Sequence, residues 1–414
     1  MTMLVVKYII ILCKDTHLME YAFSDRMASM KPSAIREIFK SLSDPSVISF
    51  AAGNPSPLSF PADDMRRIAD EIFSEDAVGA LQYSVTEGYA PLIADVNRRM
   101  EERFSIDTSK GETIITSGGQ QGIELACKAL CNPGDTVLCE NPTFIGALNA
   151  FRSNGAIPRG IPMKHDGIDT DALEAALMSD PRVKMIYVIP TFHNPAGITS
   201  SAENRRRLYD AAKRHGVIIL EDDPYGELRF SGEDVPTLKS IDTEGIVLYC
   251  SSFSKILSAG MRIGYVNGPR EVIGKMVIAK QVEDVHTNIF FQMLCHRYIK
   301  ECDLDAHIAE IRSLYGHKCS LMLDALRRYM PECVKYTEPE GGLFIWCTLP
   351  DGADSAEFVS RALGRGVAVV PGATFNADES APSDSFRLNY SMPSDDDIVR
   401  GIKTLGNVAR ELFC

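Results

Sequence analysis

The sequence has no surplus of positive charge: 43 lysines and arginines stand against 56 aspartates and glutamates, a net charge of −13. The signs are interspersed without long like-charge blocks, which argues against a nucleic-acid surface and gives no basis for binding an anionic membrane. Close cysteine doublets are also missing. The 11 cysteines are scattered along the chain, whereas zinc ribbons need closely spaced ligand pairs and secreted disulfide scaffolds need far more cysteine in a shorter chain. Reduced thiols in a cytoplasm are therefore expected. Cys127 and Cys131, one helical turn apart, read as small apolar residues on a buried helix face. The apolar stretch from Leu4 to Leu12 is too short to span a bilayer, lacks a basic start, and runs into Cys13-Lys14-Asp15, a poor cleavage site. No targeting signal is read there. The more ordinary sequence begins at Met19, and residues 1–18 are expected to be a non-native or extended N-terminus.

No repeat, low-complexity tract or long Pro/Gly/Ser linker divides the chain, so its domains are expected to share segments. At 414 residues, 45% hydrophobic and 24% charged, it exceeds the size at which a single core keeps growing, and two lobes are expected. Apolar strand-like runs at 113–116, 136–139, 156–162, 185–189, 217–220, 246–250 and 262–266 alternate with amphipathic stretches such as 120–131, 169–177 and 201–215. This alternation predicts an α/β layer, a mostly parallel central sheet sandwiched by helices, with active residues at the carboxyl ends of strands. After Gly268 the pattern is helical to Arg328. It then returns to short strands near 343–348, 367–370 and 386–390 and closes with a helix over 394–412, which predicts a smaller α+β lobe. The expected division is 51–309 for the large domain, and 19–50 with 310–414 for the small one.

Five segments carry chemistry. Ser251-Ser252-Phe253-Ser254-Lys255 follows an apolar strand, with Arg262 shortly behind it. A lysine amine can form a Schiff base with an aldehyde, while Ser252, Ser254 and a guanidinium can bind a dianionic phosphate, which is what holding pyridoxal phosphate requires. Ser117-Gly118-Gly119-Gln120 ends a strand and opens a helix, a backbone cradle for an anion. Asn194-Pro195 stops a strand and points an amide into a cleft. Glu221-Asp222-Asp223-Pro224-Tyr225 puts acids at a strand end, either as a solvated loop or as a partner for a protonated ring nitrogen. Arg387 alternates with apolar neighbours on a short strand and needs an acceptor, for which a substrate carboxylate is suited.

Together these segments resemble the fold-type I pyridoxal-phosphate enzymes, specifically class I/II aminotransferases of the 2-aminoadipate and kynurenine aminotransferase branch, from about Ser24 to the C-terminus. The resemblance implies an aspartate aminotransferase-like fold and transfer of an amino group from an L-amino acid to a 2-oxo acid, with 2-oxoglutarate and glutamate as one pair. It gives Lys255 the cofactor bond and the proton shuttle, Asp222 the pyridine nitrogen, Asn194 and Tyr225 the phenolic oxygen, and Arg387 the α-carboxylate. Phe144 would stack on the ring, although a core phenylalanine fits the same sequence. Gly119 stands where the family usually has serine, leaving backbone amides and Gln120 as phosphate ligands. Tyr83 would reach the phosphate in a neighbouring subunit, implying a homodimer with shared sites. Gly53 and Arg36 fall where relatives contact substrate, and Arg36 could equally pair on a helix surface. His193 reads as filling a loop. The alternatives are a lyase or decarboxylase on the same fold, and a non-catalytic aminotransferase-like sensor, which would need a basic N-terminal module where only 52 residues precede Gly53.

Overall fold

The computed structural model describes residues 22–30 and 46–414. Residues 1–18 and Arg36, both singled out from the sequence, lie outside the described residues.

The strands are β1 (Ile48–Ser49), β2 (Glu112–Thr116), β3 (Thr136–Asn141), β4 (Ile157–Lys164), β5 (Gly167–Ile168), β6 (Val183–Val188), β7 (Ile218–Asp222), β8 (Val247–Ser252), β9 (Gly264–Gly268), β10 (Lys335–Tyr336), β11 (Phe344–Thr348), β12 (Val367–Ala368), β13 (Val370–Pro371) and β14 (Ser385–Asn389). Eight of them form one sheet in the order β2-β9-β8-β7-β6-β3-β4-β5. The β4-β3-β6-β7-β8 block is parallel. Its inner strands are apolar almost throughout because helices cover both faces. β9 runs against both β8 and β2. The short link from β8 to β9, over 253–263, returns the chain beside its own strand and lacks the length of a parallel crossover.

Local chemistry sets the flanking helices. Ser201 caps Ala202–His215 by accepting from the Asn204 amide, and Gly216 closes it at φ +65°, a conformation that suits glycine. Asp169, Ser394 and Asp303 cap Thr170–Ser179, Asp395–Phe413 and Leu304–Tyr329 in the same way. The helical stretch foreseen over 271–328 is three helices, Arg270–Glu283, Ile289–Glu301 and Leu304–Tyr329, and position 309/310 falls within the last of them. A second, antiparallel sheet has the order β10-β11-β14-β13. β1 pairs in parallel with β12, which joins the segment just before Gly53 to the C-terminal part of the chain. Among the described residues no helix is long and apolar enough to cross a membrane.

Candidate active site

The carboxyl ends of β6, β7 and β8, the turn after β2, and the face of β14 enclose a cavity of about 360 Å³. It is lined by Lys255, Asp222, Tyr225, Asn194 and Phe144, by Gly119, Gln120, Ser252, Ser254 and Arg262, and by Gly53 and Arg387. Gly118 lies just behind this lining. Tyr83 is 81% exposed and does not reach the cavity within one chain.

The three acids at the end of β7 have three different settings. Asp222 accepts from the Tyr187 hydroxyl through Oδ2 at 2.7 Å, and its Oδ1 lies 4.0 Å from the point where a Cβ on Gly119 would stand. Burial pushes its carboxyl up to about 7, against the Tyr187 hydrogen bond and with help from the charges of Asp223 and Glu140. Asp223 turns to the opposite face, accepts from the Tyr249 hydroxyl at 2.9 Å, and is raised by burial to about 6. Glu221 takes the amides of Leu238 and Lys239, each at 2.8 Å. Only Asp222 faces the cavity.

Lys255 is half-buried in the turn after β8, its Nζ donating to the Gly53 carbonyl at 2.8 Å. Burial lowers its ammonium to about 8, and the cations Arg387 and Arg262 act in the same direction. The left-handed turn at Gly118 (φ +82°) is required: a Cβ there would stand 2.2 Å from Nη2 of Arg262. Arg262 donates to the Ser117 carbonyl at 3.2 Å and so lies along the start of the helix Gly119–Leu130, where the Gln121 amide turns back to the Gly118 carbonyl at 3.2 Å and the two amides before it precede any helical acceptor. A Cβ on Gly119 would stand in ordinary van der Waals contact, 3.8 Å from Cys250 Sγ and 4.0 Å from Asp222 Oδ1. The Gln120 side chain donates to the Gly146 carbonyl at 2.9 Å. Phe144 caps the helix Ile145–Ser153, and its ring lies so close to Gly146 that a Cβ there would approach it to 2.4 Å.

Arg387 is buried in the middle of β14. It donates to Asn194 Oδ1 and to the Ala51 carbonyl, each at 2.8 Å. Its guanidinium lies 4.3 Å from the Phe344 ring centre and 4.9 Å from that of Phe375. Burial lowers it to about 10, so it stays charged at neutral pH, and its buried Nε has no partner. A fixed cation with an unmet donor at the cavity wall suits a carboxylate. Tyr225, 5% exposed, shares a hydrogen bond with Asn194.

The family description "Aminotransferase class I and II" matches residues 45–405. The chain belongs to this family. This aminotransferase is 41% identical to aromatic-amino-acid aminotransferase 1 of Thermococcus litoralis over 95% of both chains. It is 37% identical to the 2-aminoadipate transaminase of Thermus thermophilus over 95% of this chain and 97% of that one. Its fold superimposes with a TM-score of 0.91 on the Pyrococcus horikoshii kynurenine aminotransferase solved in complex with PMP, at 41% identity over 95% of this chain and 98% of that one.

Two buried supports of the aminotransferase site were not read from sequence as such. His193, taken as loop filling, is fully buried. Its Nδ1 accepts from the Ala196 amide at 3.2 Å and its backbone exchanges bonds with Gly197 and Ile198, which fixes the loop that presents Asn194; its Nε2 lies 3.1 Å from Glu140 Oε2 without the alignment of a hydrogen bond. Tyr187 sits opposite Leu220 in the β6–β7 register, and Leu220 shares a face with Asp222 two residues on. The sequence signal for Tyr187 exists only once that register is known.

Proposed function

We propose that this aminotransferase carries pyridoxal phosphate on Lys255 and passes an amino group from an L-amino acid to a 2-oxo acid, with 2-oxoglutarate and glutamate as one exchanging pair. The observation that carries this reading is the meeting in one cavity of Lys255, lowered to about 8, with Asp222, raised to about 7, and the fixed cation Arg387. The residues fit the cofactor. At the helix start the Gly119 and Gln120 amides, with Ser252, Ser254 and Arg262 lining the same cavity, suit a dianionic phosphate. When bound, the cofactor supplies an aldehyde that takes up amino groups and a ring that accepts the electrons left at the α-carbon.

The chain's own groups do the rest. Lys255 Nζ, lowered to about 8 and so readily freed of its proton, would hold the cofactor through its aldehyde and, once displaced by the substrate amine, would take up and return a proton at Nζ. Asp222 Oδ1 offers negative charge to a ring nitrogen while Tyr187 holds Oδ2 in place. Asn194 and Tyr225 present an amide and a hydroxyl to the ring oxygen. Arg387 binds the α-carboxylate common to every substrate, and the named activities of the relatives make aromatic and dicarboxylic donors the first to assay.

We also propose a homodimer in the cytoplasm. Tyr83 lies among exposed apolar side chains, including Phe73 (46%), Leu81 (75%) and Val85 (59%), a grouping that a second copy would cover. Mixing Lys255→Ala with a severely impaired Tyr83 variant should restore activity in heterodimers, because one of the two shared sites regains both residues. No recovery despite subunit exchange would rule out sites shared through Tyr83. The activity itself is tested with a panel of L-amino acids and 2-oxoglutarate. Glutamate formed in step with the donor's 2-oxo acid is expected, and amine or ammonia released without an acceptor would turn the reading to a decarboxylase or lyase.

A further inference from the structure

Cys333 and Cys414 lie far apart in sequence, yet their sulfurs are 3.6 Å apart. Cys333 sits in the loop between the helix Leu304–Tyr329 and β10, and Cys414 follows the helix Asp395–Phe413. Gly406, Arg410 and Cys414 recur every four residues and so share one face of that helix. The first two meet the end of the neighbouring helix. A Cβ on Gly406 would stand 2.1 Å from the Tyr329 carbonyl oxygen, and Arg410 Nη1 donates to that same carbonyl at 2.6 Å. Cys414, one turn further on, meets Cys333, four residues beyond Tyr329. The amide of Cys414 still donates to the Arg410 carbonyl at 3.0 Å, so its approach to Cys333 continues the helical packing. Cys414 is exposed and Cys333 half-buried, whereas Cys127, Cys139, Cys250, Cys295, Cys319 and Cys347 are buried.

We propose that Cys333 and Cys414 form a reversible disulfide, a redox-sensitive staple that closes the C-terminal part of the chain on itself. The loop it would close holds the antiparallel sheet β10-β11-β14-β13 and with it Arg387. The oxidant is a small-molecule disulfide. The Cys414 thiolate, the more accessible, attacks one sulfur of the oxidant, whose S–S bond breaks and releases one thiolate. The Cys333 thiolate then attacks the Cys414 sulfur of the mixed disulfide, and the second small thiolate leaves. Two protein thiols become one disulfide, the oxidant becomes two thiols, and both protons end on those thiols. Burial, and then the neighbouring Cys414, push the Cys333 thiol up, which suits the exposed partner for the first attack. Closing so long a loop removes freedom from the unfolded chain and none from the packed helices. The inference does not rest on the proposed function, and it assigns the pair no part in amino transfer.

The test uses the full chain with its cofactor, reduced and then equilibrated with oxidised and reduced glutathione. The expected product has lost two hydrogens in intact mass and yields one cross-linked peptide joining Cys333 to Cys414. Its Tm should lie roughly 3 °C or more above that of the reduced protein. Cys414→Ser and Cys333→Ser should each abolish both the cross-link and the Tm shift, and Cys302→Ser should abolish neither. A lasting glutathione adduct, a cross-link between two chains, or a cross-link at other cysteines would overturn the proposal. So would a Cys333–Cys414 bond that leaves Tm unchanged.

Discussion

The large and small sheets contribute different kinds of charge to one cavity, although burial acts on both. At the carboxyl ends of β7 and β8 it brings an acid and an amine toward neutrality, Asp222 up to about 7 and Lys255 down to about 8. In the middle of β14 it lowers Arg387 only to about 10, so the guanidinium keeps its proton where Asp222 and Lys255 can exchange theirs. Position follows the same division. Asp222 and Lys255 lie at strand ends, where loops open to a ligand, while Arg387 is clamped by Asn194, the Ala51 carbonyl and two aromatic rings. The large sheet thus supplies groups held near neutrality, and the small sheet a charge that stays put.

The sharpest way to break this comparison is Lys255→Ala. Steady turnover should vanish while the protein stays folded, since among the described residues no other lysine lines the cavity. Asp222→Asn should come next, with a fall in rate of at least about a hundredfold, because an amide cannot balance a cationic ring nitrogen. Near-normal turnover would move that role to another acid. Arg387→Ala tests the other sheet. It should raise KM for every amino acid alike, at a cost of roughly 2 to 5 kcal/mol, as for a truncated charge pair; an effect confined to one side-chain class would mean that Arg387 reads something other than the shared carboxylate.

The smallest expected effect is on the stability of the cofactor-free protein. Asp222 has a folded value of about 7 against an unfolded 3.8. The folded state therefore binds the extra proton, and the contribution is fully present below the unfolded value and lost as pH rises through the folded one. The Tm of the wild type minus that of Asp222→Asn should accordingly fall as pH rises from about 5 to about 7.5, as differential scanning fluorimetry would record. A flat difference would show that Asp222 is not the buried acid described.

The parts legible in sequence were those with local causes. The alternation of apolar runs and helix faces located seven of the eight strands of the large sheet to within a few residues, missing only the two-residue β5, and the same pattern placed the helices that Ser201, Asp169 and Ser394 cap. Lys255, Asp222, Asn194 and Arg387 stood in short segments whose chemistry is local too, and all four line the cavity. Contacts that depend on register or on distant packing were not legible. Tyr187 reaches Asp222 across two strands, Glu140 meets His193 from another, and the reversed direction of β9 follows from chain length after the lysine turn. Glu221, Asp222 and Asp223 look alike in sequence, and only the strand's alternation separates the one that faces the cavity.

The central claim, that Lys255 carries the cofactor, is tested most directly by reducing the cofactor-loaded protein with borohydride and mapping the modified peptide. The expected result is a single pyridoxyl adduct on Lys255, absent from Lys255→Ala. An adduct on Lys275 or Lys280, or one that persists in the variant, would contradict it.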